Sequence, residues 1–197
     1  MRWATYFAVL ASVLSVGLAL GVSMPLVSLR LENWGYGGFA IGVMAAMPAI
    51  GVLVGASIAS KLAARFGTPG LMRLCLWCGA LSIGLLALLP SYPVWLVLRL
   101  LIGVVLTMIF ILGESWINQL VTEQWRGRLV ALYGCAYALS QLSGPLLLGV
   151  VGSENDYGFG IGVALLTLAP LLLMARDGAP VTHSRSVPFT ALLESCR

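Results

Sequence analysis

Read from the first residue, the chain alternates between long apolar runs and short polar or turn-forming separators. Six runs are long enough to be helices of membrane length: 4–29, 39–62, 70–89, 94–117, 129–151 and 159–175. A hydrocarbon core of about 30 Å needs about 20 mainly apolar residues in helical form. The separators are Glu32–Gly38, Ala63–Pro69, Pro90–Pro93, Asn118–Arg128 and Gly152–Gly158, rich in Gly, Pro and charge. The sixth run is the shortest, and its Pro170 removes a backbone donor and kinks or shifts it. The pattern predicts an all-α integral membrane fold: a six-transmembrane-helix bundle over 1–175, followed by a polar tail over 176–197.

Composition supports a lipid solvent. Hydrophobic residues make up 60% of the 197, and charged residues only 9%, against roughly 25% in a soluble domain. Mean hydropathy is +1.00. The 23 glycines lie mostly inside apolar runs, where membrane helices tolerate them.

The net charge of +4 would suit a nucleic-acid partner, but its distribution argues for orientation instead. With the N-terminus inside, Arg2, Lys61, Arg65, Arg73, Arg126, Arg128, Arg176, Arg185 and Arg197 all fall on the cytoplasmic side. Arg30 alone falls outside, and Arg99 lies within a span. Such a bias sets topology, so both termini are expected in the cytoplasm and no nucleic-acid partner is expected. Arg2 before an apolar run also fits a secretory leader. The run extends to about Leu29 with no clear small-residue cleavage site, which favours a retained first helix.

Enzyme constellations are nearly absent. The single histidine, His183, sits in the tail, so no span carries a Ser-His pair. Cys75 and Cys78 form a C-x-x-C without the second pair or histidine that a zinc site needs; small packing residues explain them better. There is no P-loop and no G-x-G-x-x-G. The chain is expected to be no enzyme and to carry no cofactor or metal.

What remains are polar groups inside spans, which are costly in lipid and face a cavity or a partner. Arg99, about five residues into the fourth run, either snorkels to the outer interface or faces a water-filled cavity. Glu114 is the one acidic residue in a run, fifteen positions on. That is about 22 Å along a helix, too far to pair with Arg99; Arg65, Arg73, Arg126 and Arg128 are its candidate partners. In the fifth run Tyr133, Tyr137, Ser140 and Gly144 share one helix face, with Gln141 beside them. That stripe either packs through hydrogen bonds or lines a solute pathway. Gly51, Gly55 and Ala59 recur every fourth residue in the second run and read as close helix packing with no direct substrate role.

In order along the chain, these features resemble the N-terminal half of a major facilitator superfamily transporter. Ser60-Lys-Leu-Ala-Ala-Arg-Phe-Gly67 resembles the family loop G-x-L-A-D-R-x-G-R-K, matching at Leu62, Ala63, Arg65 and Gly67. Ala64 replaces its Asp, so the family's cytoplasmic charge network would have to recruit Glu114 or Glu123. Arg99-x-x-x-Gly103 resembles the family's R-x-x-x-G, whose arginine faces the central cavity. Ala136-x-x-x-Ser140-x-x-x-Gly144-Pro145-x-x-x-Gly149 resembles the antiporter signature G-x-x-x-G-x-x-x-G-P-x-x-G-G, with Ala136, Ser140 and Leu148 in place of glycines. Gly113-Glu-Ser-Trp-Ile-Asn118 with Arg126, Arg128 and Tyr133 is similar to a bacterial branch of sugar and drug permeases.

The resemblance implies a bundle of inverted three-helix repeats, with a weak echo of the repeat in Pro48…Gly51 and Gly144-Pro145…Gly149. It implies transport of a small solute across the bacterial inner membrane by alternating access. Arg99, Tyr133, Tyr137 and Gln141 are the expected cavity residues. Arg65, Gly67, Glu114, Gly144 and Pro145 are the expected gating residues, with Glu114 the available carboxylate for proton coupling. Family members have twelve spans, so the chain is expected to need its missing C-terminal half or a second half-transporter, and the tail would begin the linker between halves. The competing expectation is a six-helix membrane scaffold or regulatory half-protein that transports nothing.

Overall fold

A computed structural model describes residues 3–152 and 156–174. The tail with His183, and the cations Arg2, Arg176, Arg185 and Arg197, lie outside the described residues. Six helices follow one another: α1 (Trp3–Asn33), α2 (Gly38–Phe66), α3 (Thr68–Leu88), α4 (Tyr92–Leu120), α5 (Glu123–Val151) and α6 (Tyr157–Met174). Five of them, α1 to α5, are long and apolar enough to cross a membrane; α6 is shorter, at 18 residues. At 1.5 Å per residue a 29-residue helix such as α4 is about 43 Å long, so it overreaches the hydrocarbon core.

Sequence chemistry ends the helices where it should. Tyr92-Pro93 opens α4 and Thr68-Pro69 opens α3, each placing proline in the first turn, where a missing N–H is harmless. Gly67 has φ of 75° and reverses the chain between α2 and α3 with nothing else intervening. Buried hydroxyls bond back along their own helices. Ser12 donates to the Ala8 carbonyl at 2.9 Å and Ser82 to that of Cys78 at 2.7 Å. Such bonds satisfy a polar side chain where no water is available.

Packing follows an interleaved plan. α2 lies along α4 and α5 along α1, while α3 and α6 pack on each other and on α4 and α1 respectively. Exchanging the first three helices for the last three leaves this scheme of neighbours unchanged. The two seams are parallel and made by small residues. A Cβ added at Gly51 would collide with the Leu100 carbonyl, and one at Gly55 would approach the Val104 oxygen to 2.6 Å. Across the other seam, Gly21 abuts Gln141 and Gly144, and Gly17 abuts Tyr137 and Ser140. Close backbone approach of this kind is how membrane helices associate without a hydrophobic driving force. By these contacts Gly51 and Gly144 occupy equivalent places, and so do Pro48 and Gln141. The prolines that echo one another in sequence do not: Pro48 is buried against Gly103, whereas Pro145 is exposed.

The core runs along α1, α3 and α4, through Val13, Val16, Leu26, Leu76, Ile83, Ile102 and Ile109, all fully buried. The outside is equally apolar: Leu53, Leu81, Leu139, Leu146 and Val150 are exposed. A water-facing surface would not carry so many large hydrophobes; lipid accommodates them. The molecule is a multi-pass membrane protein.

Candidate functional site

α2 and α5 share no packed interface, and the space between them is floored by α1 and α4. It forms a cavity of about 380 Å³. α1 supplies Leu20 and Met24; α2 supplies Ala45, Pro48, Ala49 and Val52. Gly103, Leu106, Thr107 and Phe110 come from α4, and Tyr137 and Gln141 from α5. The wall is apolar on the α2 side and hydrogen-bonding on the α5 side. It carries no charged residue.

The structure divides the four expected cavity residues. Tyr137 and Gln141 line the wall. Tyr137 is half-buried, with its ring 5.0 Å from that of Phe110. Tyr133, one turn earlier, is fully buried and its hydroxyl donates to the Phe110 carbonyl at 2.9 Å. It ties α5 to α4 and stands behind the wall. Arg99 also stands behind it, 1% exposed. Its Nη1 donates to Ser23 Oγ at 3.5 Å and its Nη2 to Met24 Sδ at 3.0 Å, while Nε has no partner. The snorkelling alternative does not fit this placement, because the side chain is enclosed within the bundle.

One turn before Arg99, Trp95 is 1% exposed. It packs on Trp34 with ring centroids 4.6 Å apart and meets Phe159 edge-on. Arg30 completes this aromatic end of the bundle, 5.9 Å above the Phe159 ring and 2.8 Å from the Asp156 carboxylate. Tyr92 stacks on Tyr36 and donates to the Ala40 carbonyl at 3.0 Å. Aromatic residues of this kind favour the membrane–water interface.

The expected gating residues are spread over the molecule. Arg65 is exposed at the end of α2, 5.7 Å above its neighbour Phe66, and Gly67 makes the turn that follows. Glu114 is half-buried in a shallow depression with Ser115, Asn118, Gln119 and Arg126. Gly144 sits in the α1–α5 seam, and Pro145 faces outward. These positions do not form one cluster.

Sequence reasoning missed Met24, Thr107, Phe110 and the α2 wall. α2 had been given a packing role only, yet its Ala45, Pro48, Ala49 and Val52 form a side of the cavity. Thr107 was within reach: positions 99, 103, 107 and 110 share one face of α4. Nothing in the sequence marks Met24.

The family model for the Major Facilitator Superfamily matches residues 9–193. The chain belongs to the major facilitator superfamily. Among similar superfamily proteins is the Bacillus subtilis "Uncharacterized MFS-type transporter YfkF", 27% identical over 175 residues, which are 88% of this chain and 45% of that protein. The Escherichia coli "Uncharacterized MFS-type transporter YcaD" is 28% identical over 187 residues, 94% of this chain and 49% of that protein. The chain spans about half the length of the curated relatives it matches.

Proposed function

We propose that this chain is the N-terminal half of a secondary transporter that carries a small solute across the bacterial inner membrane by alternating access. The observation that carries the reading is the cavity between α2 and α5. Its polar groups converge from one side, and the two helices that flank it are the least buried of the five long enough and apolar enough to cross a membrane. A second six-helix half, either a missing C-terminal one or a separate half-transporter, would form the opposite wall. Solute then binds near the midplane between Tyr137, Gln141 and Thr107, with Tyr133 holding α5 on α4. Proline within a spanning helix leaves a carbonyl unpaired, which gives the Gly144-Pro145 region its role in bending α5. Both ends lie in the cytoplasm, so Arg65, Gly67 and Glu114 gate the inner side, and the tail over 176–197 leads toward the second half.

A second reading, a non-transporting scaffold or regulatory half-protein, draws on one observation: α2 and α5 present apolar outer faces. One experiment separates the two. The chain is produced alone and together with a complementary six-helix half, and uptake of labelled glucose, alanine, benzoate and tetraphenylphosphonium into membrane vesicles is measured with and without a proton gradient. Saturable flux of any of these that requires both halves supports transport. Stable association of the halves with no flux of any probe supports the scaffold.

A further inference from the structure

Among the described residues Arg99 is a cation without a counter-ion. Among the described residues the ion pair is Arg30–Asp156, and the partners of Arg99 are a serine hydroxyl and a thioether. A thioether is a weak acceptor, and Nε bonds to nothing. Buried charges in proteins are ordinarily paired, because desolvation is otherwise uncompensated. A guanidinium that is 1% exposed and met only by neutral, partly inadequate acceptors has its best partner elsewhere.

Met24 is the residue that both accepts from Arg99 Nη2 and lines the cavity. On the other side Trp95, Trp34 and Phe159 close the end of the bundle. Methionine has three rotatable bonds and repacks readily. Pro25, the next residue, lies inside α1 and leaves the Gly21 carbonyl without its helical donor, so the backbone here is softened too.

We propose that Arg99 is the cationic pole of a concealed subsite of the cavity, that Met24 is its movable cover, and that the site takes a small apolar monoanion, a carboxylate on an aliphatic or aromatic body. This rests on the transporter reading for its purpose, though not for its geometry. A carboxylate displaces the thioether because it offers Arg99 two charged acceptors in a matching fork. The body of the ligand then lies on Leu20, Leu106, Val52 and Phe110, with the Phe110–Tyr137 pair offering an aromatic stacking surface. The wall holds no second cation, so a dianion leaves one charge unmatched, and a cation meets repulsion from Arg99. A volume of about 380 Å³ is within the usual range for small-molecule sites.

The test is equilibrium binding to the purified, folded chain in nanodiscs, with benzoate and octanoate as probes. Benzamide, benzylamine and phthalate are the matched neutral, cationic and dianionic controls. Saturable binding of the two acids, at least tenfold tighter than benzamide and phthalate, is expected. Arg99→Gln should weaken the acids at least tenfold while Arg99→Lys restores part of the affinity. Met24→Ala should tighten or accelerate acid binding and leave benzamide unmoved. If Arg99→Gln does not fold, as judged by its circular dichroism melt, the wild-type comparison of acid with amide and the Met24→Ala result decide. Equal binding of acid and amide, preference for benzylamine or phthalate, absence of saturable acid binding, or no response to Met24→Ala overturns the proposal. Acid binding without flux in any vesicle assay would sink the transporter reading and keep the subsite; flux of a neutral or cationic solute unaffected by benzoate would do the reverse.

Discussion

α5 and α2 occupy equivalent places, each running parallel to a helix of the other repeat across a seam of small residues, yet they offer the cavity opposite chemistry. Pro48 and Gln141 sit at matching positions, one apolar and one amide. On the floor, Arg99-x-x-x-Gly103 in α4 stands where α1 has Gly17-x-x-x-Gly21. The glycines recur because the seams need them. The charged and hydrogen-bonding residues do not recur, so packing of the seams does not account for them. Symmetry here belongs to packing, and on the proposed reading asymmetry belongs to recognition.

That division can be attacked at its strongest point first. Gly144→Leu and Gly51→Leu should each destabilise the protein by about 3 kcal/mol, the upper range for overpacking, because backbone from the facing helix fills the space. Thermal loss of the monodisperse species in detergent measures it, with Gly134→Ala as a control whose Cβ meets nothing. Tolerance at one seam with collapse at the other would break the equivalence. Next, Gln141→Leu should weaken solute binding about tenfold, the worth of roughly one well-made hydrogen bond, while Val52→Ala on the α2 wall should change it less than about threefold. Comparable losses on the two walls would contradict the asymmetry.

Smaller effects sharpen the contrast within α5. Tyr133→Phe should cost about 1 kcal/mol of stability by removing the hydroxyl that donates to the Phe110 carbonyl, seen as a lower melting temperature. Tyr137→Phe should spare stability and act on solute affinity. Smallest of all, Asp156→Asn should cost under about 1 kcal/mol, as exposed ion pairs do, and the difference should fade in high salt. A large, salt-insensitive loss would mean that the α1–α6 contact is held differently from its α3–α4 counterpart.

Much of this architecture was legible in the sequence. The apolar runs located the helices because lipid imposes a length and a composition on anything that crosses it. Their ends were less legible. Hydropathy marks the membrane, not the hydrogen-bonded helix. Residues 118–128 read as a polar separator, yet α4 runs on to Leu120 and α5 starts at Glu123, leaving Val121 and Thr122 between. Gly51, Gly55 and Ala59 announced a seam by their spacing, and the structure buries all three. The site was only half legible. Period 3.6 put Tyr133 and Tyr137 on one face of α5, but which of them reaches the cavity depends on where α4 crosses, and no local pattern encodes that. Met24 is an ordinary apolar residue until a guanidinium from a helix 75 positions away is placed on its sulfur.

The interleaving of the two repeats has a consequence for how the protein is made. As the chain leaves the ribosome, α1, α2 and α3 enter the bilayer first, but the long seams of α1 and α2 belong to α5 and α4, which do not yet exist. The early helices must wait in lipid with their glycine faces unmatched, so a chain arrested after α3 should be a substrate for membrane quality control and not a stable half-bundle. Assembly is committed only when α5 is inserted and both seams close.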